Sequence, residues 1–150
     1  LQQFAGVDHR LQYVATVRGV RYINDSKATN VNSCWYALES MTTPTILILG
    51  GTDKGNDYSE IDQLVKEKCT SLIFMGKDNS KLIAHFEPMG IPFVSVDSLE
   101  AAVQTAYDTA QEGQTVLIVC IGCYLEYSLS LPFWHCFPRV VPLRLQATTL

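Results

Sequence analysis

Asp25, Lys27 and Thr29 stand two residues apart in the stretch RYINDSKATN, with Asn24 and Asn30 beside them. A second polar cluster, GGTDKGND, runs from Gly50 to Asp57 and carries Lys54. Lys27 and Lys54 are ammonium donors able to meet carboxylate or phosphate oxygens, and Thr29 adds a hydroxyl. Asp25, when ionised, only accepts hydrogen bonds, so it suits a pair of sugar hydroxyls or a metal rather than a phosphate. Gly50, Gly51 and Gly55 let a backbone approach a ligand closely. Two cations, one anion and such glycines fit a small acidic substrate beside a nucleotide ribose. The same residue types also serve turns: Asn24 and Asp25 can form an Asx turn, Asn30 can cap a helix, and the lysines can be solvated charges.

The elements that must position these clusters alternate along the chain. LQYVATVRGVRYIND reads as two short strands around a turn at Arg18-Gly19, the second covering Val20–Ile23. Asn30 to Met41 reads as a helix, because Val31, Cys34, Trp35 and Leu38 recur at the spacing of one helical face. TILILGG is a continuous apolar run of the kind found in strands covered on both sides. A helix over YSEIDQLVKEKC follows, with Ser59 as N-cap and Ile61, Leu64 and Val65 inward. Then come a strand SLIFMG, a helix DNSKLIAHFEPMG closing at Gly90, and a strand IPFVSV. A helix from Ser98, C-capped at Gly113, and a last strand QTVLIVC complete the series. Strands alternating with helices predict an α/β fold: a Rossmann-like, mostly parallel sheet with helices on both faces. In such sheets ligands bind beyond the carboxyl ends of the strands, where both polar clusters fall. If the two strands are neighbours, their loops face one cleft.

Composition narrows the classes. The 150 residues suffice for one compact domain, and 47% are hydrophobic, enough for a buried core. A net charge of −4 and the absence of a basic run speak against a nucleic-acid surface. No apolar run reaches the ~18 residues that span a bilayer, and LQQFAGVDHR lacks both a signal-peptide layout and an initiator Met. The chain therefore reads as a piece of a longer cytoplasmic protein. Its five cysteines, Cys34, Cys69, Cys120, Cys123 and Cys136, look like reduced thiols. Cys120 and Cys123 form a C-x-x-C pair in an apolar run, without a second pair or a nearby His. GGTDKG is not a dinucleotide fingerprint and there is no P-loop, so another domain must cradle any nucleotide phosphates. His9, His85 and His135 are too dispersed for a site, and His85 reads as a partly exposed packing residue.

Residues 121–150 break the rhythm. Only Glu126, Arg139 and Arg144 carry charge there, while Pro132, Pro138 and Pro142 interrupt any helix. LSLPFWHCFPRVVPLRLQ has neither helical nor strand periodicity.

HRLQ at His9–Gln12, YINDSKATN at Tyr22–Asn30, GGTDKG at Gly50–Gly55 and MGKDNSKL at Met75–Leu82 together resemble the C-terminal domain of the Mur ligases. NDSKATN narrows the resemblance to the D-glutamate-adding branch, since sister ligases carry other words there, such as DYAHNP. The likeness runs from Leu1 to about Val119. It implies an ATP-dependent ligase of peptidoglycan precursor synthesis, acting on UDP-MurNAc-L-Ala and D-glutamate. ATP phosphorylates the substrate carboxylate, and the D-glutamate amine attacks the acyl phosphate to give an amide. By matching positions, the resemblance puts Arg10 and Asp25 at the ATP ribose, Thr29 and Lys54 on D-glutamate carboxylates, and Lys27 near the acyl phosphate. Mg²⁺ and the phosphates would be held mainly by a central ATPase domain that this chain lacks, so no metal ligand is expected here. Residues 1–8 would be the end of a linker from that domain and 9–120 the C-terminal α/β domain.

The chain departs from the family pattern in two places. Gln12 replaces the glutamate of HRLE, and VCIGCYLEYSLSLPFW stands where the family has a stretch like SPACASFDxF that completes the D-glutamate pocket. Composition and motif fail at the same point, so residues 121–150 are expected to be out-of-frame or otherwise aberrant. An uninterrupted reading frame with the same tail in close relatives would refute this. Two other readings stay open on the residues alone: a stand-alone α/β module binding an acidic small molecule or nucleotide, and a thiol redox protein using Cys120 and Cys123.

Overall fold

The structure, a computed structural model, describes residues 11–25, 30–50 and 55–121. It contains six strands and four α-helices in the order β1 (Gln12–Val17), β2 (Val20–Asp25), α1 (Val31–Glu39), β3 (Thr45–Gly50), α2 (Asp62–Lys68), β4 (Cys69–Met75), α3 (Ser80–Phe86), β5 (Phe93–Val96), α4 (Leu99–Thr109) and β6 (Thr115–Cys120). Short 3₁₀ turns, Tyr58–Ile61 and Glu87–Met89, precede α2 and follow α3. One sheet takes the order β1-β2-β6-β3-β4-β5. Only the β1–β2 pair is antiparallel. The α/β expectation holds.

The strand pattern follows from the side chains. All six residues of β3 and all six of β6 are buried, as the unbroken runs TILILG and TVLIVC require of central strands. Successive residues point to opposite faces and divide the core in two. On one face α1, α2 and α3 bring Leu38, Val65 and Phe86 onto Leu47, Leu49, Phe74 and Val119. On the other, α4 lays Leu99, Ala102, Val103 and Ala106 over Ile48, Ile73, Val116 and Ile118. Three connections step across the sheet one way, and α4 carries the chain back from β5 to β6. Right-handed crossover then forces α4 onto the opposite face.

Local chemistry sets the element ends. The Arg18-Gly19 turn has φ of 51° and 76°, the paired left-handed conformation of a two-residue hairpin. A Cβ on Gly19 would lie 2.4 Å from Cγ of Glu112, so the turn is packed as well as bent. Asn30 caps α1, its Oδ1 accepting from Ser33 N–H at 2.7 Å. Ser98 caps α4 as expected, accepting from Ala101 N–H at 3.1 Å.

Two expected caps are corrected. Asp57, not Ser59, caps the turn before α2: its carboxylate accepts from Ser59 N–H at 3.0 Å and from the Ser59 hydroxyl at 2.6 Å. Those bonds favour the ionised form and hold the Asp57 carboxyl below its ordinary range. A carboxylate two residues earlier competes better for that donor than a hydroxyl. Gly113 is not the C-cap of α4; the helix ends at Ala110 in extended backbone. Gly113 instead turns at φ 91° in the following loop and donates its N–H to Gly19 O at 2.9 Å.

The end of α1 is tied down from outside. Lys68 Nζ donates to Glu39 O at 2.6 Å and to Met41 O at 2.9 Å, meeting carbonyls that a helix terminus leaves without partners. Lys68→Met should therefore lower stability by about 1–2 kcal/mol in urea denaturation; a change below about 0.3 kcal/mol would show that the contact is dispensable.

Candidate functional site at the carboxyl rim of the sheet

Asp25 is the last residue of β2 and is only 3% exposed. Its Cα lies opposite Val119 of β6, and Asn24 lies opposite Ile118. Asn24 and Asp25 are thus strand residues rather than members of an Asx turn, because pairing with β6 carries β2 two residues beyond Ile23. Across β6, Leu49 also pairs with Val119, and Gly50 pairs with Cys120. The two polar clusters therefore leave the same rim at the same level.

They do not leave neighbouring strands. β6 lies between β2 and β3, so the strand ends are two spacings apart, about 10 Å. The last strand is apolar from Val116 to Cys120 and buried along its whole length, as a central strand is, while the connection from β2 runs over it to β3. The expected shared rim stands, and the expected adjacency is corrected. This placement also identifies a contributor that loop reading passed over: the chain leaves β6 at Cys120–Ile121, midway between the two clusters. The signal was present in the buried character of TVLIVC, which marks a central strand.

Of the expected site residues, Asp25 is placed at the rim. Arg10, Lys27, Thr29 and Lys54 lie outside the described residues, as do Gly51, Cys123, Cys136 and the tail from 122.

The surroundings of Asp25 are apolar. Cys34 of α1 is fully buried, and its thiol is pushed up to about 12, first by burial and then by the nearby Cys69 and Asp25. Burial likewise pushes Cys69 up to about 12, against the opposing pull of Lys68. Neither thiol is a nucleophile near neutral pH. Cys120, half of the C-x-x-C pair, is 2% exposed. His85 is partly exposed as expected, and it also meets Asp62 Oδ1 at 2.7 Å through Nε2. Its ring packs on Tyr58 and Phe86, so it braces the turn that follows the second polar cluster.

Gly50 has a reason to be glycine that does not involve a ligand. A Cβ there would meet Met75 Cε at 2.5 Å and Met75 O at 3.0 Å. The close approach is made by β4, at the point where the chain enters the cluster carrying Lys54.

The family model for the Mur ligase, glutamate ligase domain, matches residues 9–121. The chain belongs to the Mur ligase family. It is similar to the UDP-N-acetylmuramoylalanine--D-glutamate ligase of Bacteroides thetaiotaomicron, with 59% identity over 119 residues, 79% of this chain and 27% of that protein. The ligase of the same name from Porphyromonas gingivalis is 57% identical over 118 residues, 79% of this chain and 26% of the relative. The chain thus spans about a quarter of these relatives' length. Among solved structures, a domain assigned to a UDP-N-acetylmuramate:L-alanyl-gamma-D-glutamyl-diaminopimelate ligase of Haemophilus ducreyi has the same fold. Its TM-score is 0.61 at 13% identity, over 93% of this chain and 99% of that one. FolC of E. coli, in complex with ADP, gives 0.56 at 22% identity, over 76% of this chain and 28% of that one.

The contact at the entrance to the second cluster can be tested in this Mur ligase domain. Gly50→Ala should destabilise it by about 1–3 kcal/mol, since Met75 must move and its backbone oxygen cannot. Met75→Ala removes the Cε clash, so the two substitutions should be less than additive in a double-mutant cycle. Full additivity would mean that Gly50 does not pack on Met75.

Proposed function

We propose that this chain is the amino-acid-binding, C-terminal domain of an ATP-dependent ligase that joins D-glutamate to UDP-MurNAc-L-Ala in peptidoglycan precursor synthesis. The observation that carries the reading is the 59% identity, over 119 residues, to a ligase named for D-glutamate addition. The fold supports it by putting the ends of β2 and β3 on one rim.

In this reading a dicarboxylic amino acid is met by cations and a ribose by an acceptor. Lys54 and Thr29 hold D-glutamate carboxylate oxygens, Arg10 and Asp25 contact the ATP ribose, and Lys27 lies near the acyl phosphate that the amine attacks. Asp25 suits its part: it is a carboxylate fixed at a strand end, with its backbone in the sheet and little exposure to water. In this reading Mg²⁺ and the nucleotide phosphates are held mainly by the remainder of a full-length ligase, and the domain alone is inactive. Among the described residues no helix is long and apolar enough to cross a membrane, consistent with work in the cytoplasm on a soluble nucleotide-linked substrate. Residues 121–150 are read as an atypical tail, a reading supported by a family match that reaches no further than residue 121.

The test is kinetic. In the intact ligase, Lys54→Ala should raise the KM for D-glutamate ten- to a hundredfold, the equivalent of one charge-assisted contact of ~1.5–3 kcal/mol. The KM for ATP should stay within about twofold. An unchanged D-glutamate KM would remove Lys54 from the substrate site.

A further inference from the structure

The connection from β3 to α2 carries the second polar cluster, Gly50 to Asp57, and both of its ends are fixed. At the first, Gly50 packs on Met75. At the second, the 3₁₀ turn Tyr58–Ile61 is seated in the core, with Ile61 fully buried and Tyr58 6% exposed. Val31, Cys34 and Leu38 of α1 share that core with Tyr58 and Ile61, and α1 packs on the turn itself. The helix that follows the first polar cluster and the turn that follows the second therefore bear on each other.

α3 holds this turn from its other side. The Tyr58 ring lies against Phe86, with centroids 5.9 Å apart, and against His85 at 5.7 Å. His85 stands edge-on to Phe86 at 4.7 Å, which fixes the plane of its ring. Nε2 then reaches Asp62 Oδ1, on the first residue of α2, at 2.7 Å. An ionised carboxylate only accepts, so Nε2 carries the hydrogen and donates it. Asp57, at the start of the turn, is held below the ordinary carboxylate range by its bonds to Ser59, and the nearby His85 adds a smaller pull in the same direction. His85 therefore has an acid at each end of the turn, Asp57 before it and Asp62 behind it. The His85 and Asp62 side chains are 27% and 31% exposed, so the bond between them is half-shielded and its worth is modest.

We infer that His85 is a positioning residue for amino-acid binding: by clasping the turn to α3 it sets the approach of the second polar cluster and with it the affinity for D-glutamate. The inference rests on the D-glutamate reading above, in which Lys54, the residue before Gly55, meets a substrate carboxylate. His85 acts through Tyr58 and Asp62. Releasing the clasp lets the turn open locally, and a ligand that requires one arrangement binds more weakly in proportion to the population lost. The loss should fall on D-glutamate and spare ATP, whose ribose is assigned to Arg10 and Asp25 on the β2 side of the rim.

The experiment compares His85→Leu, which keeps an apolar body and removes the donor, with His85→Gln, which returns an amide N–H near the place of Nε2. In the intact ligase His85→Leu should raise the KM for D-glutamate about three- to tenfold, with kcat and the KM for ATP within about twofold of the parent. His85→Gln should bring the D-glutamate KM back to within about twofold of the parent. Hydrogen exchange at the Ser59, Glu60 and Ile61 amides should quicken about threefold or more in His85→Leu. A matching fall in kcat, or equal rises in both KM values, would reduce His85 to a structural residue and overturn the inference. An unchanged D-glutamate KM, or unchanged exchange at the turn, would overturn it as well. Lys54→Ala separates the two readings: a raised D-glutamate KM there with none in His85→Leu refutes the clasp and keeps the substrate site, whereas no rise in either variant removes both.

Discussion

β6 pairs with β2 on one side and β3 on the other, and the arrangement of the rim follows from that double pairing. β6 cannot lie anywhere else at low cost: TVLIVC has no polar residue between Thr115 and Cys120, and every side chain is buried. Burying an apolar side chain contributes about 1.5–3 kcal/mol, so moving this strand to an exposed edge would forfeit much of the core. With β6 in the centre, Asp25 and Leu49 stand level across Val119, and β2 and β3 end on one rim.

Right-handed crossover does the rest. Steps from β2 to β3, β4 and β5 put α1, α2 and α3 on one face, and the return through α4 covers the other. The reversal leaves a shallow groove at the ends of β4 and β5, where the buried Asn79 amide bridges the two strands.

Much of this was legible in the residues. The apolar run TILIL reads as a strand covered on both faces, QTVLIVC as the last strand, and the spacing of Val31, Cys34 and Leu38 gives α1 its buried stripe. Strand order was not legible, because pairing between β6 and its neighbours leaves no mark on local sequence; the polar clusters were therefore placed on adjacent strands. Caps were partly legible: Asn30 and Ser98 behave as their types suggest, but Asp57 outcompetes Ser59 from two residues away. Gly50 was read as making room for a ligand, whereas the structure has it making room for Met75. The bridging role of the Asn79 amide is not legible within MGKDNSKL, because two of its partners, Ser95 and Val96, lie on β5, sixteen and seventeen residues further on.

The account rests most heavily on the two lysine-bearing clusters sharing one cleft across β6. The most direct measurement is a crystal structure of the intact ligase with D-glutamate bound. It should place the Lys27 and Lys54 ammonium groups on the same side of the sheet, with a D-glutamate carboxylate within hydrogen-bond distance of Lys54. Ammonium groups on opposite sides of the molecule, or D-glutamate bound away from the rim of β2, β6 and β3, would contradict it.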